Sequence, residues 1–168
     1  DQHRAYAQFA KGLGVSIADI DNLCVWGNHS DTMYADFYHA TVAGVPFMEG
    51  YADKEAWCKD TLLSSVAMRG SEVIKMRGAS SALSAANAAL DTLFMLLDRD
   101  PDMGAFSLGV YSRGEYGATA GTIVSYPCRF TNTGKLEIVQ GLTHNDFAQS
   151  RLDKTFQELA REVDSLSD

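Results

Sequence analysis

The chain has 168 residues, 46% of them hydrophobic, and carries a formal net charge of −8 at pH 7. A chain of this length can bury about 70% of its unfolded surface in one core, which predicts a single domain over residues 1–168. The negative charge argues against nucleic acid as a partner, because phosphate groups would be repelled. The sequence has neither a signal-peptide pattern nor an apolar run of the ~20 residues that a membrane span needs, so we expect no membrane partner.

Three cysteines, Cys24, Cys58 and Cys128, are widely spaced and mostly lie in apolar surroundings. An odd number of such cysteines predicts reduced thiols and argues against a disulfide framework or a zinc site. Reduced thiols are typical of a cytosol-like compartment, so we expect a cytoplasmic protein.

A helix is predicted over residues 1–14. Ala5, Phe9 and Leu13 recur at helical spacing, and Gly14 suits a C-terminal cap. The helix begins without a cap in front of it, which predicts that part of the protein precedes this chain.

Short strands are predicted to follow. We expect a polar connection over residues 16–21, a buried strand over residues 23–26 and two further strands within residues 34–47. These two strands would turn at Ala43-Gly44, and Pro46 favours an edge strand because proline cannot donate to a ladder.

Two long helices are predicted in the middle of the chain. The first runs from Asp53 to about Met76, and Gly70 within it indicates a kink or a close contact. The second spans residues 80–98, where small residues predict a packing seam with another helix. The sequence Arg99-Asp100-Pro101-Asp102 then ends this helix.

The last third is predicted to form strands and one amphipathic helix. The strands cover residues 106–111, 122–130 and 136–140, with a hairpin turn over residues 131–135. Asn145 or Asp146 would cap a helix that continues to about Leu166. Its inner face is predicted to consist of Phe147, Leu152, Phe156, Leu159 and Val163. The fold class that follows is α+β, a mainly antiparallel sheet with long helices packed on it.

The buried strand at residues 23–26 leads directly into Gly27-Asn28-His29. A rigid strand followed by a glycine can hold an imidazole at the lip of a cleft. Because histidine titrates near neutral pH, His29 is a candidate acid/base. A histidine that only bonds a backbone carbonyl is the alternative interpretation. Asp1 and Arg4 are three positions apart in the first helix, so their side chains project from neighbouring positions on one face.

Six short sequence motifs follow one another along the chain. They are Asp1-x-x-Arg4, Trp26-Gly27-Asn28-His29-Ser30, Val73-Ile74-Lys75, Ser80-Ser81-Ala82-Leu83-Ser84-Ala85-Ala86, Phe106-Ser107-Leu108-Gly109-Val110, and Gly141-Leu142 with Asn145-Asp146-Phe147. Together they resemble malate dehydrogenase of the cytosolic type, in the lactate/malate dehydrogenase superfamily. The resemblance covers essentially the whole chain but only the second half of such an enzyme. It implies a substrate-binding catalytic domain without its N-terminal dinucleotide-binding domain, NAD as the cofactor, and a homodimer.

The resemblance also implies roles for individual residues. Asp1 matches the carboxylate that pairs with the catalytic histidine, Arg4 matches the arginine that binds the substrate carboxylate, and His29 matches the acid/base. Ser80 or Ser81 lies where the family has a small hydroxyl residue beside the substrate and the nicotinamide, and the choice between them stays open. Cofactor contacts are implied for Asn28 and His29.

These residue types suit the interconversion of malate and oxaloacetate, a small dicarboxylic 2-hydroxy acid and its oxo acid. A neutral imidazole accepts the hydroxyl proton as hydride leaves the adjacent carbon, and the imidazolium donates that proton in the reverse direction. A carboxylate at Asp1 would fix the tautomer of His29 and stabilise its cation. The planar guanidinium of Arg4 can bind a carboxylate through two hydrogen bonds, which lysine cannot reproduce.

Four other patterns in the sequence do not meet the requirements of the sites that they resemble. Gly12-Leu13-Gly14 lacks the third glycine of a dinucleotide fingerprint and follows a helix, so the main NAD cradle is not expected here. Asn28-His29-Ser30 is a formal glycosylation sequon, but it follows a buried strand. A Ser-His-Asp hydrolase would need a Gly-x-Ser-x-Gly turn, which the sequence does not contain. The four histidines lack zinc-ligand spacing, so no metal site is predicted; they are His3, His29, His39 and His144.

Two alternatives remain at this point. A lactate dehydrogenase shares the Asp, Arg and His pattern, although the sequences flanking His29 and Ser81 favour malate. The second alternative is a non-catalytic folded fragment or interaction module. Because the glycine-rich cofactor loop is not found in the sequence, we expect the chain alone to be inactive and to bind NAD weakly.

Overall fold

The structure is a computed structural model that describes residues 1–166. The helices are α1 (Gln2–Leu13), α2 (Phe47–Gly50), α3 (Glu55–Trp57), α4 (Leu63–Arg77), α5 (Ala82–Asp98) and α6 (Asp146–Asp164). The strands are β1 (Ile20–Asp21), β2 (Cys24–Trp26), β3 (Tyr34–Asp36), β4 (Thr41–Val42), β5 (Val45–Pro46), β6 (Phe106–Tyr111), β7 (Ile123–Phe130) and β8 (Leu136–Ile138). The predicted α+β class is confirmed, and every strand pair in the described chain is antiparallel.

The strands form three small sheets where the sequence predicted one main sheet. Their strand orders are β1-β4-β5, β2-β3 and β6-β7-β8. A bridge connects the last two, because Gly27 and Ser125 exchange backbone hydrogen bonds of 2.9 and 3.0 Å. Strand β2 is thereby fixed at its end, next to the loop that carries His29.

Residues 16–47 differ in detail from the prediction. The expected polar connection contains a short 3₁₀ turn and strand β1, in which Ile20 is buried. Residues 34–47 contain three short strands, and the first of them, β3, pairs with β2. The turn at Ala43-Gly44 and the edge position of Pro46 are as predicted.

Aromatic side chains dominate the core. Trp26, Tyr34, Tyr126 and Phe9 are fully buried, so α1 and the strands share one hydrophobic cluster. Helix α6 covers it with Leu152, Phe156 and Leu159, but Val163 is 42% exposed, which corrects its predicted place on the inner face. Cys24, Cys58 and Cys128 are all free and buried, as predicted.

Helix ends follow the predicted capping residues. Gly14 closes α1 in the left-handed conformation, with a φ of 71°. The side chain of Asn145 accepts a 2.9 Å hydrogen bond from the Ala148 N–H at the start of α6.

The long helical segment before Gly78 is irregular at a different place from the predicted one. A π-helical turn over Cys58–Leu62 separates α3 from α4. Gly70 lies inside continuous α4, and a Cβ there would meet nothing within 4 Å. The predicted kink or close contact at Gly70 is therefore wrong.

Helix α5 has the predicted span but not the predicted packing. None of its residues is buried, and Leu83 is 87% exposed. The packing seam proposed for its small residues is therefore not formed within the described chain. None of the helices in residues 1–166 has the length and apolar character required to span a membrane.

Candidate active site

Strand β2 ends at Trp26 and leads into the loop that carries His29. Gly27 has a φ of +88°, and a Cβ at this position would lie 2.2 Å from the Thr155 side chain. Only glycine fits such a turn without strain. The loop then holds His29 with 79% of its side chain exposed.

Asp1, immediately before α1, contacts this histidine. Asp1 Oδ2 lies 2.7 Å from His29 Nδ1. An ionised carboxylate only accepts hydrogen bonds, so Nδ1 carries the proton in this contact. In the neutral imidazole, Nε2 is then the atom that can accept a proton. The fold thus brings together two residues that the sequence analysis paired across 28 positions.

Arg4 lies one helical turn after Asp1 and contacts the same carboxylate. Arg4 Nη2 is 3.5 Å from Asp1 Oδ1, and Nη1 donates a 2.9 Å hydrogen bond to the Val66 carbonyl. Partial burial lowers the pKa of Arg4, and repulsion from the Arg69 guanidinium lowers it further. Since the pKa of arginine starts well above neutral, Arg4 stays charged. The result is an oriented cation beside the His29–Asp1 pair.

Asp1, Arg4 and His29 line one cavity of about 930 Å³. Two arginines of α4, Arg69 and Arg77, line the same cavity. Three guanidinium groups around one space make it suitable for an anion, although the net charge of the whole chain is negative.

Of the two serines left open by the sequence, Ser81 lines this cavity and Ser80 does not. Ser81 directly precedes α5, and its carbonyl accepts a 3.2 Å hydrogen bond from the Ala85 N–H. Of the two, only Ser81 therefore lies at the cavity, and its role beside a substrate stays a prediction.

Hydrogen bonds to side chains of helix α6 hold the His29 loop in place. The hydroxyl of Thr155, which is fully buried, accepts a 2.8 Å hydrogen bond from the Asn28 backbone N–H. The Glu158 carboxylate accepts hydrogen bonds from three loop side chains, those of Asn28, Ser30 and Thr32. Burial opposes the charge of Glu158, but these hydrogen bonds outweigh it and lower its pKa. The loop is therefore tied to a helix at several points.

Asn28 was predicted to contact a cofactor, and the structure gives its side chain other partners. Its amide nitrogen lies 3.0 Å from Glu158 Oε2 and 2.7 Å from Glu162 Oε1. Both amide protons are thereby directed to α6. Asn28 and His29 also line a cavity of about 720 Å³, so a cofactor contact through them stays a prediction.

Arg69 and Arg77 are not among the site residues predicted from the sequence. They are eight positions apart on α4, close to two helical turns, so a search for arginines sharing a helix face would have found them. The role of Thr155 and Glu158 could not be inferred, because nothing in the local sequence of α6 indicates which loop it contacts.

Comparisons with known proteins identify the family and the fold. The family model of the lactate/malate dehydrogenase alpha/beta C-terminal domain matches residues 1–168. Malate dehydrogenase from Naegleria fowleri is 33% identical with a TM-score of 0.84, over 96% of this chain and 48% of that one. Lactate dehydrogenase from Trichomonas vaginalis, solved in complex with NADH and oxamate, is 29% identical with a TM-score of 0.86, over 96% of this chain and 50% of that one.

Malate dehydrogenase from Salinibacter ruber shares the fold at 22% identity, with a TM-score of 0.80, over 99% of this chain and 52% of that one. The chain spans about half the length of each of these three proteins. It therefore belongs to the lactate/malate dehydrogenase family, in which it corresponds to the C-terminal alpha/beta domain.

Proposed function

We propose that this chain is the catalytic half of an NAD-dependent malate dehydrogenase. The observation that carries the proposal is the 2.7 Å contact of His29 Nδ1 with Asp1 Oδ2, at the edge of a cavity that also contains Arg4. A histidine oriented by a carboxylate, beside a fixed arginine, is what proton transfer to a bound 2-hydroxy acid requires.

His29 is the acid/base in this proposal. With its proton on Nδ1, the neutral ring takes the hydroxyl proton of malate at Nε2, and the imidazolium returns it to the carbonyl oxygen of oxaloacetate. Asp1 keeps the ring in this tautomer and stabilises the cation that forms. When bound, NAD supplies the hydride acceptor. Its binding is proposed to depend mainly on an N-terminal half outside this chain.

Arg4 binds the substrate carboxylate next to the reacting carbon. Its hydrogen bond to the Val66 carbonyl fixes one side of the guanidinium, so the group is oriented before substrate arrives. Malate carries a second carboxylate, and Arg69 and Arg77 line the same cavity. The surplus of positive charge favours a dicarboxylate over lactate.

Lactate dehydrogenase is the second candidate function, because the Trichomonas vaginalis enzyme is similar over 96% of this chain. The test compares oxaloacetate with pyruvate, with NADH as reductant, in the longer protein that joins this chain to its N-terminal half. We expect a higher kcat/KM for oxaloacetate. A preference for pyruvate would establish the second candidate, and turnover of neither would contradict both.

The proposal also covers the oligomeric state of the enzyme and the activity of this chain in isolation. The family resemblance supports a homodimer, which sedimentation of the longer protein would test. The 168 residues alone are expected to be inactive and to bind NAD weakly. Turnover of oxaloacetate by the isolated chain would contradict this part.

A further inference from the structure

A second cluster of histidine and carboxylate side chains lies apart from the His29 site. Asp36 comes from β3, His39 follows three residues later, and His144 lies in the loop before α6. One potential ligand atom from each residue falls within 4.8 Å of the other two. None of these residues has a role in the proposed dehydrogenase chemistry.

Asp36 is the centre of this cluster and is only 1% exposed. Its Oδ2 lies 2.7 Å from His39 Nδ1 and accepts a 3.1 Å hydrogen bond from Trp26 Nε1. The hydroxyl of Tyr34 lies 3.3 Å from Oδ1. Burial opposes ionisation of this carboxyl group, and the hydrogen-bonding groups of His39, Trp26 and Tyr34 offset that cost. A buried anion is therefore held in place by residues on three sides.

His144 completes the cluster with an unpartnered atom. Its Nε2 is buried and has no hydrogen-bond partner within residues 1–166. This atom lies 3.7 Å from Asp36 Oδ2, beyond hydrogen-bond distance. The ring is held edge-on by Trp26 and Tyr116, with centroid distances of 5.1 and 5.8 Å. A buried polar atom that packing fixes without a partner requires an explanation.

We propose that Asp36, His39 and His144 bind one divalent transition-metal ion. Two imidazoles and one carboxylate form a donor set typical of such ions, with a fourth position left for water. Tetrahedral bonds of ~2.0–2.1 Å place ligand atoms roughly 3.3–3.4 Å apart. The observed separations of 2.7 and 3.7 Å from Asp36 Oδ2 lie on either side of that value. We assign the adjustment of the 2.7 Å separation to His39, because its side chain, at 26%, is the most exposed of the three.

The surroundings provide the other features that a metal site needs. A cavity of about 390 Å³ is lined by Asp36 and His39, giving an ion a route to both residues. The ring of His39 also hydrogen-bonds to the Thr143 backbone. A backbone partner of this kind orients a ligating histidine. Arg129 also lines the cavity, but its charge is paired with Glu137 at 2.8 Å.

Binding would join the β2–β3 hairpin to the start of α6, so the metal should stabilise the fold. The test uses the 168-residue chain, stripped of metal with a chelator, and Zn²⁺ as the probe. A chromophoric chelator competes for Zn²⁺, and thermal unfolding is followed in parallel. We expect one equivalent of Zn²⁺ to bind and to raise Tm.

The variant His39→Gln should weaken Zn²⁺ binding by at least about tenfold and remove the Tm increase. The matched control is His29→Gln, which disrupts the exposed pair with Asp1 and should leave Zn²⁺ binding unchanged. Failure of the wild-type chain to bind Zn²⁺ would overturn the proposal. An equal loss in both variants would overturn it as well, because the ion would then not depend on this cluster.

Histidine NMR of the wild-type chain gives an answer even when His39→Gln does not fold. Zn²⁺ should shift the ring resonances of His39 and His144 together and leave those of His29 in place. Shifts confined to His29, or to the exposed His3, would contradict the assignment.

Discussion

The molecule contains two histidine–carboxylate contacts of the same length, of which one is more exposed than the other. His29 Nδ1 and His39 Nδ1 each lie 2.7 Å from a carboxylate oxygen, of Asp1 and Asp36 respectively. The histidine and carboxylate side chains are 79% and 21% exposed in the His29–Asp1 pair, but 26% and 1% exposed in the His39–Asp36 pair. An exposed pair contributes little to stability, while breaking a buried one leaves an uncompensated charge in the core. The exposed pair is therefore suited to proton transfer, and the buried pair is suited to stabilising the fold.

The largest expected effect falls on the exposed pair. In the longer enzyme, His29→Gln should lower turnover of both malate and oxaloacetate by about 10²–10⁴-fold, because the proton acceptor is lost. Tm should stay nearly unchanged, since the ring is mostly in water. Steady-state kinetics and thermal unfolding measure the two quantities. Near-normal turnover would remove His29 from the proposed role.

The buried pair should show the reverse pattern. Asp36→Asn is expected to lower the free energy of unfolding by about 3–5 kcal/mol, because the partners of a buried charge lose it. Asp1→Asn, the matched change in the exposed pair, should cost less than about 1 kcal/mol. Urea denaturation of both variants, with chelator present, checks the difference. Equal destabilisation would contradict the contrast between the two environments.

Arg4→Lys tests the cation beside the exposed pair. We expect KM for oxaloacetate to rise by about tenfold or more and kcat to fall as well, because an ammonium binds a carboxylate at one point and misaligns the reacting carbon. Arg129→Lys, at an exposed arginine away from the cavity of His29, provides the control. An unchanged KM in Arg4→Lys would show that another residue binds the carboxylate.

The smallest expected effect concerns the loop that carries His29. Hydrogen bonds from the loop lower the pKa of Glu158 against the opposing effect of burial. A lowered pKa means that this anchoring is complete above the unfolded-state pKa of ~4.3 and is lost as pH falls through the folded value. Amide exchange of the Asn28 N–H should therefore accelerate in acid relative to exchange in the core. Glu158→Gln should abolish this extra acceleration, and an identical pH profile in that variant would contradict the account.

Local periodicity was sufficient to predict most elements, including the spans of α5 and α6, and the turn residues 131–135 predicted the pairing of β7 with β8. It could not predict what α5 packs against, because the alanines and leucines that predict a seam do not identify a partner. The pairing of Asp1 with His29 came from the family resemblance, since the residues lie on different elements. The Asp36 cluster was missed for the same physical reason: His144 is distant in sequence, and no ligand spacing links it to His39.

The central claim is that Asp1 orients His29 for proton transfer. The most direct test is kcat of the Asp1→Asn variant for oxaloacetate reduction in the longer enzyme. Asparagine keeps the size of the side chain but can donate to Nδ1, which favours the wrong tautomer. We predict that kcat falls by at least about 10²-fold while the variant stays folded. A kcat equal to that of the wild-type enzyme would contradict the account.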